Sequence, residues 1–396
     1  MPEISVIADD LTGAADTGVQ LVRAGYRTAV YFRPTGVLDD LDAVAFDTDS
    51  RTMPAGFAAK RVIEAAHAAR GSRIVYKKLD STLRGNVAAE LAAALNAARR
   101  DRAVVAPAFP AAGRTTAGGT QLVHGVPVSE TEMRNDPDTP VLEAHIPTLL
   151  ADAFSSVDTL GTAELANPEH VRRALEGNEC VVADAQSDAD LEALVRAVPD
   201  PGRVLWSGSA GLALALGNVY PGPHAGEAGV LGKGAGPVLV VIGSLSAVAR
   251  EQLRRLVEEY GEMAVPVGTV ALERAVAAVR EALAGRACAV VHSPGERSAA
   301  GGAVLEPLAE VATRLSEKGL FKGLVLTGGA TAVGVARRLG ASGIRLRGEV
   351  ETGVPIGALI GPREYPVVTK AGGFGEPDTL VKAVEALAQS GEERSL

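Results

Sequence analysis

Short apolar runs alternate with Ala- and Leu-rich helical stretches along most of this 396-residue chain, and no other feature limits the fold as strongly. The runs 4–8, 43–47 and 74–77 each precede a stretch such as 57–70, in which apolar residues recur at helical spacing. This alternation is typical of a mostly parallel sheet with helices on both faces. The sequence therefore predicts an α/β fold.

Length and one Gly- and Pro-rich segment indicate how the chain divides. At about 100–200 residues per domain, a chain of this length predicts two domains. Residues 221–237 contain six Gly and three Pro and have no periodicity, which is typical of a linker. We predict a first domain over 1–222, a linker over 223–237 and a second domain over 238–396, each domain being a mostly parallel sheet flanked by helices.

Charge and composition exclude several classes of protein. The formal net charge is -9, whereas a nucleic-acid-binding domain usually carries a basic patch. Because the overall charge is negative, any anion must be bound by local cations, metal or backbone N–H groups. No run approaches the ~20 apolar residues of a membrane helix and the N-terminus lacks a basic region. We expect a cytoplasmic protein with no nucleic-acid or membrane partner.

Cys180 and Cys288 have no metal-ligand spacing, so we expect both to be buried and reduced.

Polar residues follow the predicted strands, where open α/β sheets bind ligands. Asp9 and Asp10 follow the first strand and could orient a substrate hydroxyl or accept its proton, although Asp is also a favoured helix cap. Arg51 follows the strand 43–47 and could bind a carboxylate through two parallel N–H bonds; it could equally be an exposed loop residue.

Residues 76–86 crowd Lys, Asp, Ser, Thr and Arg into one strand-to-helix turn. Cations and free N–H groups at a helix start suit an anion, and this cluster is denser than a helix cap needs.

The segment 107–145 is rich in Pro, Gly, Thr and Asp and interrupts the strand–helix alternation. A loop this long is usually functional or disordered. Because Arg114, Thr115, Thr116 and His124 are interleaved with glycines there, we predict a functional loop.

Three glycine turns mark the C-terminal half, within 240–246, 324–332 and 367–375, and each leads from an apolar run towards a helix. Glycine lets a phosphate approach the backbone, and a helix start offers unpaired N–H groups. Three such turns in one domain predict a nucleotide cradle. The signatures of P-loop kinases, dinucleotide-binding domains, zinc hydrolases and serine hydrolases are all missing from the sequence.

Taken together, the motifs resemble the four-carbon acid sugar kinases, whose substrates are threonate, erythronate and 3-oxo-tetronate. The resemblance covers nearly the whole chain and rests on segments 8–14, 49–51, 77–86, 113–116, 327–329 and 370–376. It implies an N-terminal sugar-acid-binding domain, a C-terminal nucleotide-binding domain and transfer of the ATP γ-phosphate to the terminal (4-)hydroxyl of a tetronate. The form of segment 78–84 is closer to the threonate and erythronate kinases than to the 3-oxo-tetronate kinases.

Site residues follow from the resemblance position by position. Those implied for the acid are Asp9, Asp10, Arg51, Lys78, Leu79, Asp80 and Ser81, and the loop over 107–145 adds Arg114 as a further candidate. Those implied for ATP are Ser246, Gly328, Gly329, Ala330, Thr331 and Gly373, and the glycine turns add Ser244 and Gly372 as further candidates. The family often has an acidic residue where Ala330 stands, which puts the side-chain contribution of this position in doubt.

These residues suggest a mechanism in which Arg51 and Lys78 hold the acid, and Asp9, Asp10 or Asp80 is the catalytic base. Mg²⁺ would bridge the phosphates of ATP, and closure of the domains around an active site in the interdomain cleft would exclude water. The metal ligands stay unassigned and a homodimer stays an option. Two other classes remain open: a dehydrogenase or aldolase-like enzyme, for which Lys77 or Lys78 could form a Schiff base, and a two-lobed solute-binding protein.

Overall fold

The structure, a computed structural model, describes residues 1–34, 36, 39–225, 236–268, 271–294 and 305–388. The chain divides into two compact units, Met1–Gly226 and Glu227–Leu396. Residues 226–235 of the predicted linker lie outside the described part of the chain.

The N-terminal unit is built on a parallel sheet. Its strands are β1 (Ile4–Ala8), β2 (Thr28–Tyr31), β3 (Ala43–Asp47), β4 (Ile74–Lys78), β5 (Arg102–Ala106), β6 (Arg114–Ala117), β7 (Thr120–Val123), β8 (Val126–Pro127), β9 (Val157–Leu160), β10 (Cys180–Ala183) and β11 (Val204–Gly208). Its helices are α1 (Leu11–Arg23), α2 (Ala55–Ala69), α3 (Val87–Ala98), α4 (Ile146–Leu150), α5 (Thr162–Leu165), α6 (Pro168–Gly177), α7 (Asp188–Ala197) and α8 (Ala210–Val219).

Strands of this unit follow the order β2-β3-β1-β4-β11-β5-β10-β9, and every described neighbouring pair is parallel. The strands β1, β3, β4 and β11 are buried along their whole length, as expected for a parallel sheet covered on both faces. Because the strands are parallel, the segments after β1, β3 and β4 all leave the same edge of the sheet, and this edge carries the predicted acid site.

The prediction of a long loop over 107–145 is wrong in part, because this segment contains strands. The strands β6, β7 and β8 form an antiparallel three-stranded sheet, separate from the main one. Asp184 anchors its first turn by accepting hydrogen bonds from the Gly118 and Gly119 amides at 2.6 and 2.8 Å. These strands are short and polar, so they lack the apolar periodicity by which strands are predicted from a sequence. They are held in place by pairing with one another and by side-chain hydrogen bonds.

The C-terminal unit repeats the α/β design with an antiparallel addition. Its strands are β12 (Val238–Ile242), β13 (Ala264–Pro266), β14 (Cys288–His292), β15 (Gly323–Thr327), β16 (Gly343–Glu351), β17 (Val354–Ile360) and β18 (Pro366–Lys370). Its helices are α9 (Ala247–Tyr260), α10 (Leu272–Gly285), α11 (Leu305–Glu317), α12 (Gly329–Arg338) and α13 (Thr379–Ala388).

Five of the C-terminal strands are parallel neighbours within the described residues, in the order β13-β14-β12-β15-β18. The strands β17 and β16 continue this sheet in antiparallel pairing. Val240, Val325 and Val368 on neighbouring strands pack with Leu256 of α9 and Leu380 of α13 in one apolar core. The three predicted glycine turns therefore follow three adjacent strands, β12, β15 and β18.

Both cysteines of the chain lie in the described part of the structure. Cys180 and Cys288 are free and buried, as predicted, and burial raises the pKa of each thiol to about 12. Among the described helices, none combines the length and the apolarity needed to cross a membrane.

Candidate active site

Arg51 lies at the centre of a carboxylate cluster at the edge of the N-terminal sheet. Its Nε and Nη2 atoms donate to the two oxygens of Asp9 at 2.7 and 2.9 Å, a bidentate pair. Its Nη2 and Nη1 atoms also lie 2.9 and 2.7 Å from the two oxygens of Asp10. The Asp80 carboxylate lies 3.5 Å from Nη1. One guanidinium therefore holds together the ends of β1 and β4.

The turn after β4 is shaped around Asp80. Asp80 Oδ1 accepts hydrogen bonds from the Thr82 amide at 2.8 Å and from the Thr82 hydroxyl, and Oδ2 lies 2.9 Å from Arg84 Nη2. Gly85 has a φ of +94°, and a Cβ there would lie 3.0 Å from Asp9 Oδ2. Only glycine fits this position easily, so the turn can pass directly against the cluster.

The three carboxylates of the cluster differ in their affinity for a proton. Burial opposes ionisation of Asp9 and Asp80, but their arginine partners outweigh it and hold both pKa values below the usual range. Burial raises the pKa of Asp10, and the neighbouring Asp9 charge adds to this effect, while Arg51 opposes it. Asp10 is also the most exposed, with 27% of its side chain accessible against 5% for Asp9 and 11% for Asp80. The cluster therefore offers one accessible carboxylate of raised proton affinity.

A buried ion pair fixes the loop that carries Arg51. Lys77 Nζ lies 2.9 Å from Glu90 Oε2 in α3, and the two side chains are 1% and 2% exposed. The other oxygen, Glu90 Oε1, accepts a hydrogen bond from Ser50 at 2.7 Å. Lys77 is thus engaged with a carboxylate behind the site, which argues against the Schiff-base role left open from the sequence. Glu90 was not identified from the sequence.

Lys78 points to the opposite side of β4 from Lys77, as strand alternation requires. It is 4% exposed, and in the described part of the chain its Nζ makes one hydrogen bond, to the Leu79 carbonyl at 2.8 Å. A Cβ added to Gly13 would lie 3.3 Å from this Nζ and 2.8 Å from Asp10 Oδ1. Lys78 therefore brings an ammonium with spare donors close to Asp10.

The hairpin β6–β7 contacts the same edge of the sheet. Gln121 donates from Nε2 to the Ser81 carbonyl at 2.7 Å and accepts from Thr116 Oγ1 at 2.7 Å. Arg114 begins β6 and donates to the Ala112 carbonyl, while its buried Nε has no hydrogen-bond partner among the described residues. Arg114 was predicted from the sequence and Gln121 was not, because no sequence pattern pairs residue 121 with residue 81.

Hydrogen bonds join the first and third glycine turns of the C-terminal unit. Ser246 caps α9, accepting from the Ala249 amide at 3.1 Å, and donates to the Gly372 carbonyl at 2.6 Å. Ser244 donates to Ser246 Oγ at 3.3 Å, and a Cβ on Gly372 would lie 2.0 Å from Ser244 Oγ. The predicted residues Ser244, Ser246 and Gly372 therefore lie side by side.

The second turn leads into the helix α12, whose first backbone N–H groups have no side-chain cap from the N-cap residue in the described part of the chain. Gly328 occupies the N-cap position with a φ of +98° and provides no side-chain cap. Gly329 and Ala330 begin the helix, Ala330 is exposed, and a Cβ on Gly243 would collide with Thr331 Oγ1. An uncapped helix start is a site for a phosphate. A Cβ on Gly373 meets open space among the described residues, so this backbone is accessible to a ligand.

Lys370 ends β18 beside these turns and is 3% exposed. Its Nζ donates to the Ala371 carbonyl at 2.8 Å. Burial lowers the pKa of Lys370 to about 8, against a smaller opposite effect of Glu351. Lys370 belongs to the motif segment 370–376 but is not among the residues that the sequence predicted for the site.

The glycine turns present backbone N–H groups and two serine hydroxyls and lie next to the buried Lys370, and such groups fit a triphosphate. No group of three metal-ligating side chains occurs in the described ranges. Mg²⁺ usually keeps several waters and binds through one or two carboxylates and substrate phosphates, so a metal carried by a nucleotide does not require such a group.

Two family models match the chain. The model described as a sugar-binding N-terminal domain matches residues 4–216, and the model described as a nucleotide-binding C-terminal domain matches residues 239–380. The first covers the carboxylate cluster, and the second covers the three glycine turns.

Curated relatives align over almost their full length. The D-threonate kinase of Bordetella bronchiseptica is 40% identical over 412 residues, which cover 98% of each chain. The D-erythronate kinase of Heliobacterium modesticaldum is 34% identical, over 98% of this chain and 97% of its own. The 3-oxo-tetronate kinase of Methylobacterium radiotolerans is 31% identical, over 97% of this chain and 99% of its own.

Solved structures share the fold. One from Salmonella typhimurium is 26% identical with a TM-score of 0.85 and covers 97% of this chain and 98% of its own. One from Bordetella bronchiseptica, a domain-swapped dimer with bound citrate, is 39% identical with a TM-score of 0.52 and covers 98% of this chain and 99% of its own.

Proposed function

Because this chain belongs to the four-carbon acid sugar kinases, we propose that it phosphorylates the 4-hydroxyl of D-threonate or D-erythronate with ATP. The preference over 3-oxo-tetronate rests on identity: 40% and 34% to the threonate and erythronate kinases named above, against 31% to the 3-oxo-tetronate kinase.

The observation that carries this proposal is the cluster of Asp9, Asp10, Arg51, Lys78 and Asp80 in the domain that matches the sugar-binding model. It combines a buried ammonium with a carboxylate of raised pKa. These are the two groups that a hydroxy acid needs: a cation for its carboxylate and a base for its hydroxyl.

Asp10 is the base in this proposal. Its pKa is raised while those of Asp9 and Asp80 are lowered, and an efficient base has a pKa close to the working pH. The substrate hydroxyl oxygen would attack the γ-phosphorus, the hydroxyl proton would pass to Asp10, and the bond from phosphorus to the ADP oxygen would break. Asp9 and Asp80 would remain ionised and fix Arg51.

The acid is held mainly by Lys78 in this proposal. Five contacts of 3.5 Å or less already join the Arg51 donors to Asp9, Asp10 and Asp80, so a substrate carboxylate on Arg51 would have to displace one of them. Lys78 has spare donors, and Arg114 has a buried Nε without a partner in the described residues. Arg51 is therefore assigned to positioning Asp10.

The phosphates of ATP would lie on the C-terminal glycine turns, with Ser244, Ser246, Gly328, Gly329, Ala330, Thr331, Gly372 and Gly373 as the contacting residues. Backbone N–H groups of α12 would neutralise developing charge. Mg²⁺, when bound to the phosphates, would supply further charge neutralisation. At Ala330 only the backbone would contribute, because its side chain has no polar atom.

A homodimer is part of the proposal, because the related Bordetella bronchiseptica structure is described as a domain-swapped dimer. Light scattering on the purified chain tests it: a mass near 81 kDa would be twice the 40.5 kDa of the chain, and a mass of one chain would exclude a stable dimer.

An ADP-release assay with magnesium and ATP tests the function. D-threonate, D-erythronate, their L-isomers and 3-oxo-tetronate are compared at equal concentration. We expect the largest kcat/KM for D-threonate or D-erythronate, with the product phosphorylated at position 4 by ³¹P and ¹³C NMR. A higher kcat/KM for 3-oxo-tetronate would make that acid the substrate in place of D-threonate or D-erythronate. If none of these acids caused release of ADP, the assignment as a tetronate kinase would be refuted.

A further inference from the structure

The third glycine turn continues from β18 into residues 371–378, which form neither helix nor strand. Residues 373–378 are exposed. Since neither a helix nor a sheet fixes the course of this backbone, hydrogen bonds from neighbouring elements must do so. The side chains that provide these bonds therefore decide which way the peptide groups of the turn face.

Gln252 of α9 makes two of these bonds. Its side chain is fully buried, and Nε2 donates to the Phe374 carbonyl at 3.0 Å and to the Glu376 carbonyl at 2.9 Å. Both donors of the amide are thus used, and Oε1 has no hydrogen-bond partner among the described residues. The opposite orientation of the amide would set Oε1 against two carbonyl oxygens, which can only accept. An apolar side chain of the same length would leave no unsatisfied atom at this position, so the two bonds to the turn are what the glutamine adds.

These bonds set the direction of two N–H groups in the turn. A trans peptide group is planar, so its carbonyl and its N–H point in opposite directions. The carbonyl that precedes the Gly375 N–H is held by Gln252, and the carbonyl that precedes the Gly373 N–H is held by Ser246, the N-cap residue of α9. Both N–H groups therefore point away from α9, and neither has a hydrogen-bond partner in the described part of the chain.

Glu351 at the end of β16 holds the same turn from another side. It accepts hydrogen bonds from the Glu376 amide at 3.3 Å and from the Thr379 hydroxyl, and Lys382 lies 2.9 Å from its other oxygen and neutralises its charge. Gly375 has a φ of +86°, and a Cβ there would lie 2.9 Å from Glu351 Oε1. The backbone at this glycine is therefore held between α9 and β16, and a larger residue is excluded.

We propose that Gln252 is a positioning residue of the nucleotide site: its two hydrogen bonds hold the third glycine turn so that the Gly373 and Gly375 N–H groups face a phosphate. The proposal rests on the proposed function, since it assumes that the ligand of the glycine turns is a nucleoside triphosphate. It adds Gly375, which was not predicted from the sequence, to the phosphate donors. It predicts that loss of the two bonds weakens every ligand that carries the triphosphate.

Calorimetry on the full-length chain tests the proposal with ATP and inorganic tripolyphosphate as separate probes. Gln252→Met keeps the length of the side chain and removes both donors. We expect it to raise the Kd of each probe at least about 10-fold, the effect of one hydrogen bond to a charged group. Gln20→Met is the matched control, because Gln20 is also buried in a helix, α1, and donates to the Asp16 carbonyl at 3.4 Å. This control should leave both Kd values unchanged.

Gln252→Glu separates positioning from packing, because its shape is that of the wild type. When ionised, the new carboxyl has no donor and repels the two carbonyl oxygens; when protonated, it keeps one donor. Burial raises the pKa of such a carboxyl, so the ratio of its Kd for tripolyphosphate to the wild-type Kd should rise between pH 6 and pH 8. Gln252→Met has no titratable group at this position, so its ratio should stay constant. The ratio to the wild type removes the titration of Lys370 and of the phosphates from the comparison.

Two results would overturn the inference and leave the kinase assignment standing. One is a Gln252→Met variant that binds both probes like the wild type. The other is a ratio for Gln252→Glu that is the same at the two pH values, and this comparison decides the matter if thermal unfolding shows that Gln252→Met does not fold. A wild-type chain that binds neither ATP nor tripolyphosphate would overturn both the inference and the proposed function.

Discussion

Neutralising Glu90 should destabilise the N-terminal unit far more than neutralising an exposed glutamate in an ion pair of the same length. Glu90→Gln keeps the side-chain shape and an oxygen for the Ser50 hydrogen bond, but it leaves the Lys77 ammonium without its counterion. Lys77 is 1% exposed, so water cannot replace the lost partner. Breaking a buried pair in this way costs about 3–5 kcal/mol.

The assay uses the position of the single tryptophan. Trp206 is the one tryptophan of the chain, lies in β11 next to β4 and is fully buried, so its fluorescence reports unfolding of the N-terminal unit. With an m-value near 3 kcal/mol/M, a loss of about 3–5 kcal/mol lowers the urea midpoint by roughly 1–2 M.

Glu3→Gln is the matched control. Glu3 and Arg73 also lie 2.9 Å apart, but 42% and 47% of their side chains are exposed, and exposed pairs contribute about 0–1 kcal/mol. The double variant Lys77→Met/Glu90→Gln should recover most of the loss, since it leaves no unpaired charge. A Glu90→Gln midpoint within the range of the Glu3→Gln control would refute the argument that burial makes this pair important.

Three further predictions concern the carboxylate cluster and the glycine turns. Asp10→Asn should lower kcat by about 10²-fold or more and change KM for ATP little; a near-normal kcat would remove Asp10 as the base. Gly372→Ala would place its Cβ 2.0 Å from Ser244 Oγ and should raise the Kd of ATP at least about 10-fold. The control Gly285→Ala, where a Cβ meets open space among the described residues, should leave this Kd unchanged. Equal affinities of the two variants in calorimetry would contradict binding of ATP at the glycine turns. The Lys370 ammonium, with a pKa of about 8 and Glu351 as its charged neighbour, is present below that pH and lost above it. The Kd of ATP should therefore rise between pH 7 and 9 in the wild type and less so in Lys370→Met, and parallel pH profiles would contradict a role of this charge.

Much of the candidate site followed from strand order. Parallel strands present their carboxyl ends at one edge of a sheet, so the polar residues after β1, β3 and β4 lie at the same edge, and Arg51 contacts Asp9, Asp10 and Asp80 there. The same reasoning brought together the glycine turns after β12 and β18. The roles of these residues in binding and catalysis remain predictions.

The sequence could not reveal the partners that come from distant elements. Strand alternation alone puts Lys77 and Lys78 on opposite faces of β4, but only the packing of α3 decides that Lys77 meets Glu90 while Lys78 faces Asp10. The hairpin contact from Gln121 to Ser81 likewise depends on how a short polar sheet is anchored.

The sequence by itself determined the α/β class, the strand ends that carry chemistry and the glycine turns, because backbone periodicity and turn geometry are local properties. Tertiary structure decided which charges neutralise one another. Arg51 proved to be saturated by three carboxylates, and this distribution separates the proton affinity of Asp10 from those of Asp9 and Asp80. Ion pairing and burial act through space between segments far apart in the chain, so these properties exist only once the sheet and its helices have assembled.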